Sequence, residues 1–168
     1  LETREYTDID EFSQRFTDIL GYIQSVFNPR HQLRFGLRYV NEFRNPAWAT
    51  YADWRGVLNP QLLGWAARDL LNGTIEQTIG EVRTRRQDGV VLVRHGFLQG
   101  TTIAPTPTQL PKMGPFYLLD LDYYDETPSR FDAGSPGARM REYNTVLYGI
   151  FRWAIGDSEL YQRLRGRA

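Results

Sequence analysis

Two aspartates one residue apart, Asp120 and Asp122, stand in the run Leu118-Leu119-Asp120-Leu121-Asp122, with Asp125 and Glu126 just beyond. On an extended strand such residues share a face about 7 Å apart, a spacing at which carboxylates can share a hard cation through oxygen ligands. One reading is therefore a metal-dependent phosphoryl-processing enzyme using Asp120 and Asp122. The companions such enzymes use are missing: no acidic residue and lysine stand one apart on a neighbouring strand, and Gly134-Ser135 follows the pair instead of preceding it. The competing reading is ion pairing. Arg34, Arg38 and Arg94 fall in strand-like runs, and arginine–carboxylate pairs across a sheet are common and only modestly stabilising when exposed. With Asn41, these residues form one polar cluster (Arg34, Arg38, Asn41, Arg94, Asp120, Asp122), read as structural.

Other residues suited to chemistry are sparse. The two histidines, His31 and His95, have no neighbour at metal-ligand spacing. His95 shares a strand face with Val91, Val93 and Phe97 and reads as a hydrogen-bonded core residue. There is no Gly-x-Ser-x-Gly, no His-Glu-x-x-His and no phosphate-binding loop, and Lys112 is the sole lysine. With no cysteine, disulfides, thiolate metal sites and a cysteine nucleophile are excluded. No catalytic residue is assigned and no cofactor or metal is expected.

The elements that must position these groups follow from periodicity. Ile9, Phe12, Phe16, Ile19, Leu20, Ile23 and Phe27 recur at three-and-four spacing, which predicts an amphipathic helix over 8–27 that buries this stripe. Asn28-Pro29 ends it, since a residue before proline is pushed out of helical geometry. Leu33, Phe35, Leu37 and Tyr39 then alternate with Arg34, Gly36, Arg38 and Val40, a strand with one apolar face. Asn59-Pro60 and Asn72-Gly73 bracket a second helix with a stripe of Leu62, Leu63, Ala66, Leu70 and Leu71. Strand-like runs at 75–86 and 90–98 flank Gln87-Asp88-Gly89, a hairpin signal. Residues 99–115, rich in Pro and Gly, read as a long loop, and Phe116 to Tyr124 as a strand. A last helix carries Met140, Tyr143, Leu147, Ile150, Phe151 and Ala154 on one side, stops at Gly156, and precedes a short turn capped by Asp157 or Ser158.

A chain of 168 residues, 41% apolar and carrying 20 basic against 20 acidic side chains, suits one folded domain and excludes disorder. The order of elements predicts an α+β fold: a mainly antiparallel sheet of four to five strands packed against two long helices and one shorter helix. The hairpin and the missing glycine fingerprint argue against a parallel Rossmann sheet. No segment approaches the roughly 18 apolar residues of a membrane span. Zero net charge argues against a dedicated nucleic-acid binder. Such a module would draw on Arg34, Arg38, Arg94 and the terminal Arg163, Arg165 and Arg167, although cations at a helix C-terminus explain the last three as well. Charge is blocked: residues 1–27 hold six acids and two arginines, and residues 137–168 hold six arginines and three acids. The chain opens on Leu1 and is read as the C-terminal part of a longer protein, spanning 1–168 as a single domain.

The run Arg34-Phe35-Gly36-Leu37-Arg38-Tyr39-Val40-Asn41 is the most distinctive segment. With Leu118 to Asp122, the helix from Tyr143 to Ile155, and an opening Leu1-Glu2-Thr3 followed by Tyr6 and Phe12, it resembles a sporadically distributed bacterial family of uncharacterised proteins. That family's motif is Arg-x-Gly-Leu-Arg-Tyr-x-Asn, and the resemblance covers nearly the whole chain. It implies an additional N-terminal segment and an accessory or defence-type setting, and supplies no catalytic residue or cofactor. In the motif, Gly36 reads as a point of close approach, and Arg38 and Asn41 as partners for buried carbonyls or carboxylates. The expected function is a non-enzymatic, cytoplasmic protein-interaction domain that binds a protein partner or self-associates through an exposed sheet edge, with no membrane role.

Overall fold

Asp8 starts the first helix: its extended backbone turns the chain, and its carboxylate accepts the Glu11 N–H at 2.8 Å. The computed structural model describes residues 1–3, 6–68, 72–100, 113–156 and 160. Helix α1 (Ile9–Phe27) runs 19 residues and closes at Asn28, which takes a left-handed φ of 44° and returns its N–H to the Gln24 carbonyl. Two long strands flank a hairpin on the way to the C-terminal helix. These are β2 (Phe35–Phe43), the hairpin β3 (Gly80–Arg86) and β4 (Gly89–Leu98), then β5 (Phe116–Asp125). They form an antiparallel four-stranded sheet in the order β2-β5-β4-β3. β5 lies inside the sheet, and Phe116 through Leu121 are all buried, so both faces of this strand are covered there, whereas the edge strand β2 keeps an in–out alternation. A small antiparallel pair joins β1 (His31–Gln32) to β6 (Ser129–Arg130), His31 opposite Arg130 and Gln32 opposite Ser129. Helix α3 (Pro136–Ile155) spans 20 residues and stops at Gly156, whose φ of 51° suits glycine.

The residues group into two compact units, each assembled from three stretches of chain: 1–38, 83–91 and 122–148 in the first; 39–82, 92–121 and 149–168 in the second. The core of the first is aromatic. Phe16 packs on Phe35, Phe35 on Tyr143, and Tyr143 stacks on Tyr123 with ring centroids 3.8 Å apart. In the second, Trp54 is fully buried between Trp48 and Tyr117, and Tyr51 meets Phe97 edge-on. Packing of this kind adds about 0.5–1.5 kcal/mol per ring pair beyond burial.

The α+β class and the antiparallel sheet follow the sequence reading; four details do not. The second helix is only α2 (Pro60–Leu63), followed by a 3-10 turn over Gly64–Ala67. Asn59 caps it as expected, but Gly64 takes φ +59° and ends the α geometry after one turn. Leu62 and Leu63 are buried, and Leu70 and Leu71 lie outside the described residues. The hairpin's first strand begins at Gly80 and not at Ile75, and Leu33 sits before β2, 71% exposed. The stripe on α1 is packed along only half its length. Phe12, Phe16 and Leu20 are half-buried, whereas Ile19, Ile23 and Phe27 are exposed. The loop centre with Lys112, Asp157 and Ser158, and Arg163, Arg165 and Arg167 lie outside the described residues. No helix among the described residues is long and apolar enough to cross a membrane.

Candidate functional site

The polar cluster is laid out along β2, β4 and β5. In the first unit Arg34, just before β2, extends over the neighbouring strand β5. It donates to the Asp122 carboxylate at 3.1 Å, stands 3.8 Å from the Glu126 carboxylate and lies over the Tyr124 ring at 4.7 Å. Gly36 makes this path open. A Cβ there would come within 3.0 Å of Tyr124 Cβ and 3.3 Å of the Arg34 guanidinium. The close approach anticipated for Gly36 is thus between β2 and β5, with the arginine lying across the gap.

In the second unit Arg94 donates to Glu81 at 2.8 Å across the hairpin and stands 3.8 Å from the Asp120 carboxylate, which is buried. Asn41 donates its amide to the Leu119 carbonyl at 3.1 Å, a bond to the backbone of the neighbouring strand. Arg38 lies on the exposed face of β2. Each aspartate is therefore within ion-pair distance of an arginine. Among the described residues no group of three His, Asp or Glu side chains could hold a metal ion.

His95 sits on β4, its Nδ1 sharing a 2.9 Å hydrogen bond with the Tyr117 hydroxyl and its ring stacked on the Tyr117 ring. A Cβ at Gly80 would run into the imidazole, and one at Gly96 into the Thr78 carbonyl, so both glycines are spaces that neighbouring groups occupy. Burial lowers the His95 pKa below the ordinary imidazole value and favours the neutral ring. Burial also raises the Tyr117 phenol, and that of Tyr51, whose hydroxyl donates to the Leu63 carbonyl at 2.6 Å. A base of low pKa beside a phenol of high pKa is a stable neutral pair, poorly suited to passing a proton.

The best-connected polar group was not singled out from the sequence. Tyr123 donates to the Asp88 carboxylate in the hairpin turn at 2.5 Å and accepts from Arg86 at 3.0 Å. Tyr143 donates to the Asp88 carbonyl at 3.0 Å, and Arg139 bridges the Tyr143 hydroxyl at 3.0 Å and Asp125 at 2.9 Å. Burial and then the Asp88 bond push the Tyr123 phenol up to about 12, so it is no nucleophile near neutrality. Partial burial pushes the Asp125 carboxyl up, but bonds from Thr127 and Arg139 outweigh it and hold the group below the usual carboxylate range. A second such pair lies at the end of β2: Arg44 meets Glu42 at 3.3 Å, donates to the Gly114 carbonyl at 2.9 Å and covers the Phe116 ring at 4.0 Å. Only the Asp-Gly turn hinted at any of this, by marking where Asp88 would stand.

The other candidate surface is on α1. Ile19, Tyr22, Ile23, Val26 and Phe27 recur at three-and-four spacing with exposures of 39%, 73%, 37%, 71% and 76%. The segment 19–27 contains no charged residue. A contiguous exposed apolar stripe of this kind differs from the singly scattered apolar residues that every protein surface carries. Compared with known proteins, the chain matches no family model, no curated protein and no solved structure.

Proposed function

We propose that the chain is a non-enzymatic protein-interaction domain whose docking surface is the second half of α1. One observation carries the reading: a stripe of five apolar side chains, two of them aromatic and more than 70% exposed, remains on a helix whose first half is packed. Such a surface costs free energy in water, and burying it against a protein recovers roughly 25 cal/mol per Å² before the costs of association. The polar cluster supports the same reading from the other side, because Asp120 and Asp122 lie beside arginines and His95 is bonded to a phenol of raised pKa. On the motif from Arg34 to Asn41, the proposal extends to membership of the sporadically distributed bacterial family named above, and to a cytoplasmic, accessory or defence-type setting.

A photoreactive phenylalanine analogue at position 22 tests the surface. Illumination of cells making the chain is expected to give one discrete protein adduct, and the same probe at exposed Trp65 none. Diffuse labelling equal at both positions overturns the reading.

A further inference from the structure

Resting on that reading of α1, we infer that the occupant of the surface is a second copy of this chain, packed antiparallel about a two-fold axis near Ile23. Area is the first argument. Taking the roughly 150–250 Å² of an aromatic side chain as the upper scale, the five exposures correspond to at most roughly 600 Å² per copy. A two-fold pair covers that surface twice, on the order of 1,200 Å², the lower end of specific interfaces and suited to a reversible dimer. Charge is the second. A partner carrying a charge in its seam would bury it unpaired against 19–27, whereas an isologous contact sets this uncharged segment on itself.

The ends of the segment choose the direction. Asp18 stands at one end and Arg30 just past the other, and both are exposed. The Asp18 carboxylate accepts from Gln14 through one oxygen and keeps the other for a further donor. In an antiparallel pair crossing at Ile23, Asp18 of each copy faces the end of the partner helix where Arg30 follows, twice by symmetry. A parallel pair would set Asp18 against Asp18 and Arg30 against Arg30.

Sedimentation equilibrium of the 168-residue chain from about 5 to about 500 µM is the test, with Val26→Lys, Asp18→Arg, Arg30→Asp and the double reversal. The expected result is a monomer–dimer equilibrium with Kd in the micromolar range. Val26→Lys should weaken it at least about tenfold, with an unchanged Tm at concentrations well below Kd, since Val26 is exposed in the single chain. Each single reversal should weaken it about three- to tenfold, and the double reversal should return Kd to within about twofold of the parent. A monomer throughout, a dimer indifferent to Val26→Lys, or a double reversal weaker than either single one overturns the inference. A monomer that still gives a discrete adduct at position 22 with another protein removes the homodimer alone. Amide exchange over 19–27 as fast as in an unfolded chain removes the docking surface as well.

Discussion

Each compact unit buries tyrosine hydroxyls, and the two satisfy them with different chemistry. In the first, Tyr123 and Tyr143 bond to ionised groups: Asp88 and Arg86 on one ring, Arg139 on the other. In the second, Tyr117 bonds to the His95 imidazole at 2.9 Å and, at 3.4 Å, to the Leu62 carbonyl, and Tyr51 bonds to the Leu63 carbonyl. A buried hydroxyl must find a partner in either case. What differs is the condition on which the partner depends. The first cluster holds together while the Asp125 carboxylate stays ionised; the second holds while one imidazole stays neutral. Each cluster therefore rests on a different protonation state.

The largest effect is expected where a charge links two partners. Arg139→Met removes the donor to Asp125 and Tyr143 together with the cation that lies 4.9 Å from the Phe35 ring centroid. The arginine and the aspartate side chain are 29% and 23% exposed, so solvent recovers only part of the loss. Unfolding in guanidinium should show a loss of about 2–3 kcal/mol. Arg141→Met is the control: its bond to Asp10 is shorter, at 2.6 Å, but both side chains are more than half exposed, and the loss should stay below about 1 kcal/mol. Equal losses would mean that burial does not separate the two pairs.

Tyr117→Phe is expected to cost less, about 1 kcal/mol by the same measurement, since it removes one good neutral hydrogen bond and one long one. The ring would keep its packing against Trp54, and with it most of what the residue contributes. A loss as large as that of Arg139→Met would erase the distinction between neutral and charged wiring.

How much of this was legible beforehand depended on the range of the interaction. Asp8 and Asn28-Pro29 bound α1 within one residue of the expected span, because caps act over three or four residues. The stripe on α1 was equally legible, but its period reports only that a face is apolar, not how much of it the rest of the chain covers. Gly64 stood inside the expected second helix as an isolated glycine, a weak signal, and its positive φ became visible only in three dimensions. In the polar cluster, alternation was enough to set Gly36 and Arg38 on the exposed face of β2, with Arg34 just before it. The wiring of Asp88 to Tyr123 and Tyr143 spans 35 and 55 residues, and no spacing rule reaches across such a distance.

Acid should separate the two clusters without any substitution, by a smaller effect spread over two pH ranges. The His95 pKa is lowered from 6.5 by burial, so below about pH 6.5 the unfolded chain binds a proton that the folded chain refuses. Stability from the second cluster is full above that pH and declines as the pH falls toward the folded-state value. The Asp125 carboxyl is lowered from 3.8, with opposing burial outweighed by Thr127 and Arg139. Its contribution is present above about pH 4 and is lost only as the pH falls through the folded value. A denaturation midpoint followed from pH 7 downward should therefore fall in two stages. His95→Gln should flatten the upper stage and leave the lower, and Asp125→Asn should do the reverse. If His95→Gln leaves the upper stage in place, some other group titrates there, and the neutral imidazole is not what the second cluster depends on.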